Sequence, residues 1–245
     1  MINDILTVFW KELKECLHQR GSTRGMLLML FIPACIIGIM IPLQAGRLWV
    51  ETPISILSIA WVSMILGTAM IADSFAGERE RHTLETLLAS RLSDKAILLG
   101  KMFSAIGYSI IISLLIVFLG LVTVNLAYSR GELLFFPLSF AFVGAVMCFL
   151  SAFMMSTIGA LVSLKSPTVR QAHQTLSFGL IALWFVPIIL IKLLPENVVK
   201  PFINRLNTVE PVLVTLAFLG GFFILDAVLM AVVMARFKRT RLILD

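Results

Sequence analysis

The chain has 245 residues, of which 59% are hydrophobic and 14% are charged. Soluble domains carry about 25% charged residues, and a soluble chain of this length would leave a large apolar surface exposed to water. The net charge of +6 does not indicate nucleic-acid binding, because the basic residues lie in short runs between apolar stretches, as topology signals do. The sequence therefore predicts an integral membrane protein.

The three cysteines, Cys16, Cys35 and Cys148, are odd in number and irregularly spaced, and the last two lie in apolar runs. This pattern predicts neither a disulfide framework nor a metal site. No cleavable signal peptide is expected, because the first apolar run follows a long segment of mixed charge.

The first segment, residues 1–24, has the pattern of an amphipathic helix. Leu6, Phe9 and Leu13 recur at helical spacing, whereas Lys11 and Lys14 fall on other faces. Such a helix is suited to the plane of the membrane interface. It is predicted to be an elbow helix, and it either contacts a cytoplasmic partner or acts as a simple anchor.

Six apolar stretches follow, each long enough for the ~20 residues that a membrane-crossing helix needs. Their unbroken hydrophobicity is not the alternation of a barrel strand, and a lipid-exposed backbone must satisfy its own hydrogen bonds. The predicted fold class is therefore an all-α polytopic membrane protein, formed by one transmembrane domain over residues 1–245. The predicted transmembrane helices are about 25–46, 53–74, 102–127, 135–163, 172–194 and 211–235.

The distribution of Lys and Arg predicts the orientation. With the N-terminus in the cytoplasm, fifteen of the twenty basic residues lie on the cytoplasmic side. Reversing the chain would reverse this three-to-one ratio. The positive-inside rule therefore predicts a cell-membrane protein with both ends in the cytoplasm.

The connection between the second and third predicted spans, residues 75–93, combines charge with a short apolar stripe. Glu78 is spaced to pair with Arg81 or His82 along one turn of helix. Ser93 is predicted to cap the helix that becomes the third span. The charges predict a short surface helix from Glu78 to Ala89, which either transmits motion between two spans or is a solvated loop helix. Its leucines would pin it to the membrane surface, and they are Leu84, Leu87 and Leu88.

This connection also resembles a known family signature. The run Phe75-Ala-Gly-Glu-Arg-Glu-Arg-His-Thr-Leu-Glu-Thr-Leu-Leu-Ala-Ser90, followed by Ala96-Ile-Leu-Leu-Gly-Lys101, is similar to the motif of ABC-2 type permeases. The predicted six spans and the amphipathic N-terminal helix agree with that family. One departure is His82, where the family's pattern most often has Gly.

The resemblance implies a permease that works as a pair, with a second copy of itself or a related permease and two ATPase subunits on the cytoplasmic face. ATP and Mg would be bound by the ATPase, and a prokaryotic inner membrane is the expected location. The segment from Glu78 would be the coupling helix that docks on the ATPase. Its implied coupling residues are Glu78, Arg79, Glu80, Arg81, Thr83, Leu84, Glu85, Leu87 and Leu88.

The chain itself is not expected to bind a nucleotide, another cofactor or a metal, nor to catalyse a reaction. Its one Gly-Lys pair, Gly100-Lys101, is followed by Met102 and does not fit a phosphate loop. Its three histidines lie far apart in predicted cytoplasmic segments, without the spacing of a metal or nucleophile site. The energy for transport would have to come from a separate polypeptide.

Three further features of the predicted membrane domain leave alternatives open. Asp226 is the one ionisable residue well inside a span; such a residue is a candidate functional site, but it is also a candidate neutral acid hydrogen-bonded to a neighbouring helix. Small residues at four-residue spacing from Ala152 to Ala160 predict close helix packing within the chain or, less favoured, a dimer seam. Residues 195–210 are half apolar and predict a re-entrant or interfacial outer segment.

Three functions agree with these observations. The favoured one is the membrane subunit of an ATP-driven exporter of a hydrophobic or amphipathic substrate, because the spans carry almost no charge. The alternatives are an ATPase-coupled mechanical relay to an extracytoplasmic partner and a subunit that exports a heme-type cofactor.

Overall fold

A computed structural model describes residues 1–18, 31–32, 34–129, 131–195, 197–201 and 208–237. Within these residues the chain forms helices and contains no strand. The helices are α1 (Ile2–His18), α2 (Ile41–Ala45), α3 (Leu48–Glu51), α4 (Ile54–Glu80), α5 (Leu84–Leu88), α6 (Asp94–Tyr128), α7 (Leu138–Lys165), α8 (Val169–Leu193) and α9 (Pro211–Arg236).

Five of these helices, α4 and α6 to α9, are long and apolar enough to cross a membrane. They occupy the stretches predicted for the second to sixth spans, and the all-α prediction is confirmed for the described residues. The first predicted span, 25–46, lies partly outside the described residues, which include 31–32 and 34–46. Its described part contains a π-helical turn, Ile36–Met40, that leads directly into α2. The outer segment 195–210 also lies partly outside them.

Helix α6 begins before the apolar stretch of the third span because its N-terminus is capped. The hydroxyl oxygen of Ser93 accepts a hydrogen bond from the backbone N–H of Ala96, at 3.2 Å. This bond satisfies one of the donors that the first turn of a helix leaves unpaired. The predicted cap at Ser93 is confirmed.

Helix α4 lies at the centre of the molecule, against α6, α7 and α8. The small residues of α7 allow close approach to it: the Ser163 hydroxyl donates to the Ala72 carbonyl at 3.0 Å and accepts from the Ala76 N–H at 2.9 Å. A Cβ on Gly159 would collide with Ile71. The small-residue pattern therefore packs helices within the chain, as predicted.

Helix α1 packs along α6. A Cβ on Gly100 would lie 2.6 Å from the Cβ of Val8, so the absence of a side chain at Gly100 lets α1 approach closely. Farther along α6, Phe9 lies over Gly107. Leu6 and Trp10 are exposed on another face of α1. The N-terminal helix therefore has a protein-facing side and a separate apolar side.

Helices α8 and α9 are peripheral by comparison. In the fully described helix α9, Asp226 and Val233 are the buried residues, and α8 buries Ala172, Leu176 and Leu180. Most of their apolar side chains face outward. A membrane helix presents such side chains to lipid or to another membrane protein.

Candidate functional site

The motif-bearing segment consists of two helices joined by a tight turn. The predicted single helix from Glu78 to Ala89 is wrong: α4 continues through Glu80, and α5 begins only at Leu84. The backbone N–H of Thr83 donates to the carbonyl of Glu78 at 2.9 Å and closes the turn. His82 makes this turn with φ of +57°, the left-handed conformation that glycine adopts without steric cost.

Below this turn, four charged side chains from three helices form a closed cluster, here called the junction ring: Lys11, Glu12, Glu78 and Lys101. The Nζ of Lys101 lies 2.6 Å from Oε1 of Glu12 and 3.0 Å from Oε1 of Glu78. The Nζ of Lys11 lies 2.8 Å from the same Glu78 oxygen and 3.7 Å from Oε1 of Glu12. The ring therefore joins α1, the C-terminal end of α4 and the start of α6.

Burial makes this ring a strong structural constraint. Lys101 has a fully buried side chain, and Glu12 and Glu78 are also buried. The ammonium of Lys101 donates a further bond to the Ser74 carbonyl at 2.7 Å and lies 5.2 Å from the centroid of the Phe75 ring. Two positive and two negative charges balance, which limits the cost of removing them from water, whereas removing one member would leave an uncompensated buried charge.

Lys11 is the most exposed member of the ring, and its pKa is raised. Burial acts to lower this pKa, but the hydrogen bond and negative charge of Glu78, together with the charges of Glu12 and Glu15, outweigh burial. Lys11 therefore keeps its positive charge at neutral pH and holds α1 against the end of α4.

The short-range ion pairs predicted for Glu78 are wrong. Glu78 faces α1 and α6 because it belongs to the last turn of α4, so it pairs with Lys11 and Lys101 rather than with Arg81 or His82. The Arg81 guanidinium instead turns back over α4 and donates to both carboxylate oxygens of Asp73, at 2.7 and 2.9 Å. A Cβ on Gly77 would collide with Asp73 beneath this pair.

Arg79 and Glu80 hold the next connection, between α7 and α8. The guanidinium of Arg79 donates to the carbonyls of Leu164, at 2.7 Å, and Ser166, at 3.2 Å. The Glu80 carboxylate accepts from the backbone N–H of Val169 at 3.1 Å. The alternating charges of the motif thus point in different directions and connect the end of α4 to α1, α6, α7 and α8.

Helix α5 leaves a groove between itself and α1. Leu84 is buried and anchors α5 to the core, whereas Thr86 is exposed. The side chains of Glu85 and Leu88 lie outside the described part of the structure. The groove is a cavity of about 390 Å³. Most of the residues that line it are polar or charged: Lys11, Glu15, Glu78, Arg81, Thr83, Thr86, Leu87 and Ser90.

Sequence reasoning named Glu78 but missed its partners Lys11 and Lys101 and the fourth member of the ring, Glu12. The Leu-Gly-Lys run at the start of the third span was the available signal, because it places a small residue and a cation together at a membrane boundary. The structure shows the reason for the pairing. Because Gly100 has no side chain, α1 packs closely against α6, and Lys101 lies within ion-pair distance of Glu12.

Comparison with protein families decides the class of this architecture. The family model for ABC-2 type transporters matches residues 3–194, a range that contains α1, the junction ring and the helices α4 to α8. The chain belongs to the ABC-2 type transporter family. It is a multi-pass membrane protein and the non-catalytic permease component of such a transporter. A comparison with curated proteins found no match.

ABC-2 permeases generally work with an ATP-binding subunit. No group of three or more His, Cys, Asp or Glu side chains is arranged to hold a metal ion within the described residues. The junction ring itself consists of ion pairs and hydrogen bonds.

A second site lies at membrane depth. Asp226 is buried, and neither carboxylate oxygen has a hydrogen-bond partner among the described residues. Toward the end of α4 that is opposite the junction ring, the π-helical turn, α2, α4 and α8 line an open apolar cavity of about 480 Å³. Trp61 and Trp184 line this cavity and contact each other edge to face, with ring centroids 4.9 Å apart.

Proposed function

We propose that this ABC-2 permease is the membrane subunit of an exporter for a hydrophobic or amphipathic substrate, driven by ATP that a separate subunit hydrolyses. It has six transmembrane helices, with the first at 25–46, and both ends in the cytoplasm. The observation that carries this proposal is the junction ring, which ties α1, α4 and α6 together at the face where basic residues accumulate.

The proposed coupling surface is α5 with the groove beside it. A partner that contacts the exposed side of α5 and the polar groove would push on α4 through the turn at His82, because Thr83 is bonded to Glu78. The junction ring would pass that displacement to α1 and α6, and the bonds of Arg79 and Glu80 would pass it to α7 and α8. Buried charge pairs resist separation, so the ends of these helices that carry the junction ring and the Arg79 bonds would move together as one rigid body.

The apolar cavity supports the proposed substrate class. Its lining consists of aliphatic and aromatic side chains with Ser58 as the single hydroxyl. Drug-sized ligands occupy clefts of about 300–1,000 Å³ that are mostly apolar, and the cavity of about 480 Å³ falls in this range. A mechanical relay to an extracytoplasmic partner would not need such a cavity, so this observation favours the exporter.

The experiment is co-purification of the permease with its ATPase, followed by ATP-dependent transport in proteoliposomes. Replacing Thr86 with Trp places a bulky ring on the exposed side of α5 and should abolish both co-purification and transport. The matched control is Gln171→Trp, which alters another exposed position on the cytoplasmic side, at the start of α8. The control should keep both activities.

Two results would contradict the proposal. If no ATPase co-purifies with the unaltered permease, the energy source is wrong. If Thr86→Trp retains the ATPase and transports normally, the coupling surface lies elsewhere. A wild-type complex whose ATPase activity responds to an extracytoplasmic protein but to no amphipathic substrate would favour the relay.

A further inference from the structure

The structure contains a buried carboxylate without a described partner, Asp226, and a separate apolar cavity lined by two tryptophans. Asp226 has an exposed fraction of 2%, and both of its carboxylate oxygens lack a hydrogen-bond donor within the described residues. A buried carboxylate is costly without a counter-charge or donors. The junction ring does not supply either, because its two lysines already serve Glu12 and Glu78.

Two neighbours of Asp226 on its helix pack against the same cluster as the cavity tryptophans. Phe222 and Leu229, four residues before and three after Asp226, share its helix face. Both pack against a group of buried residues, here called the methionine cluster, and so do Trp61 and Trp184. The members of the methionine cluster are Met64, Met154, Met155 and Leu180.

We infer that the cavity and Asp226 together form a binding site for a hydrophobic organic cation. The apolar body lies in the cavity against Trp61 and Trp184, and the positive charge is directed across the methionine cluster toward Asp226. This inference rests on the proposed export function and specifies its substrate class.

Three properties of the site match such a cation. Trp61 and Trp184 offer large apolar surfaces for the body of the ligand. The unbranched side chains of the methionine cluster can rearrange to admit ligands of different shapes. The Nε1 group of Trp184 is a second buried polar atom without a partner among the described residues, so an acceptor on the ligand would satisfy it.

A second copy of the chain would not provide the missing charge. No Lys or Arg lies well inside any of the six predicted spans. A neutral lipid chain covering the cavity would equally leave Asp226 unbalanced. A cationic ligand supplies both the apolar surface for the cavity and the counter-charge for the carboxylate.

The test uses the permease with its ATPase in nanodiscs and a matched pair of fluorescent probes, diphenylhexatriene and its trimethylammonium derivative. Energy transfer from tryptophan to the probe reports binding. Asp226→Asn, which removes the charge and keeps the shape, should weaken binding of the cationic probe by about tenfold or more. It should leave binding of the neutral probe unchanged.

Two variants act as controls. Asp226→Glu keeps the charge and should retain discrimination in favour of the cationic probe. Trp184→Leu removes an aromatic wall that serves both probes and should weaken both of them. Equal effects of Asp226→Asn on the two probes, or no effect on either, would overturn the inference.

ATP-driven extrusion of the same probes from vesicles separates this inference from the export proposal. If the complex extrudes both probes and Asp226→Asn changes neither rate, the exporter stands and the cation site fails. If the complex binds the cationic probe through Asp226 but extrudes neither probe, the site stands and the export proposal fails. Binding of neither probe, with the cavity closed by a second copy in cross-linking, overturns the site.

Discussion

Two buried carboxylates, Glu78 and Asp226, lie in opposite environments. Glu78 is held between Lys11 and Lys101 and is closed into a balanced ring. Asp226 lies on a peripheral helix and has no partner among the described residues. The chain therefore neutralises the buried carboxylate at the junction of three helices, whereas the carboxylate inside the membrane span has no counter-charge among the described residues. The first arrangement suits force transmission, and the second suits ligand binding.

The largest effect should come from opening the junction ring. Lys101→Met leaves Glu12 and Glu78 buried with one lysine between them, and such a loss destabilises a protein by about 3–5 kcal/mol. Asp226→Asn removes a carboxylate without a described partner and should change stability by less than about 1 kcal/mol. The measurement is the free energy of unfolding in mixed micelles.

Lys95→Met is the control for this prediction, because Lys95 is exposed and lies near the start of the same helix. It should have little effect on the free energy of unfolding. If Asp226→Asn costs as much as Lys101→Met, Asp226 has a structural partner and the contrast between the two sites disappears.

The next effect concerns the fit of α1. Gly100→Ala puts a Cβ 2.6 Å from the Cβ of Val8 and 3.1 Å from the Ile5 carbonyl oxygen, so α1 must shift. Overpacking of this kind costs about 1–3 kcal/mol, and the shift should also raise hydrogen exchange in α1. Gly107→Ala is the matched control, because its Cβ would make an ordinary contact of 3.5 Å with Phe9. Similar exchange in the two variants would show that α1 is not tightly seated.

A smaller effect is expected at the turn between α4 and α5. His82 has φ of +57°, so His82→Gly should relieve steric strain and stabilise the fold by about 0.5–1 kcal/mol. His82→Ala keeps a Cβ in the same conformation and should not stabilise. Thermal unfolding is the measurement. If the glycine variant is less stable, the imidazole of His82 makes a contact whose stabilisation exceeds the cost of the backbone strain.

The smallest effect is the alkaline response of Lys11. Its pKa is raised in the folded protein above the ordinary value of 10.5. The stability that protonated Lys11 contributes is therefore fully present below that ordinary value and is lost as pH rises through the raised pKa. Thermal unfolding from roughly pH 9 to roughly pH 11.5 should show this loss. In Lys11→Met the loss should be smaller; an equal loss would assign it to other groups.

The sequence predicted the five long helices because a lipid-exposed backbone must be helical wherever side chains are continuously apolar. It also predicted the cap at Ser93, which depends on residues three apart. Glu78 was recognised through its motif, but its partner Lys11 lies 67 residues away. Helical spacing describes neighbours along one helix, so the charges of the motif were paired with each other.

The surroundings of Asp226 could not be predicted from local sequence patterns either. Its position inside an apolar span was visible in the sequence. Whether it had a partner depended on which face of α9 meets α7 and on what the methionine cluster brings to that face. The cavity that the two tryptophans line also depends on packing between helices that are distant along the chain. No local sequence pattern predicts such packing.

The measurement that tests the account most directly is the amount of substrate transported per ATP hydrolysed, compared for Glu78→Gln, Lys101→Met and the double variant. Each single change unbalances the junction ring, whereas the double change leaves Lys11 and Glu12 as a neutral pair. The account predicts that the single variants hydrolyse ATP but transport less per ATP, and that the double variant recovers part of the loss. Unchanged transport in the single variants, or purely additive losses in the double variant, would contradict it.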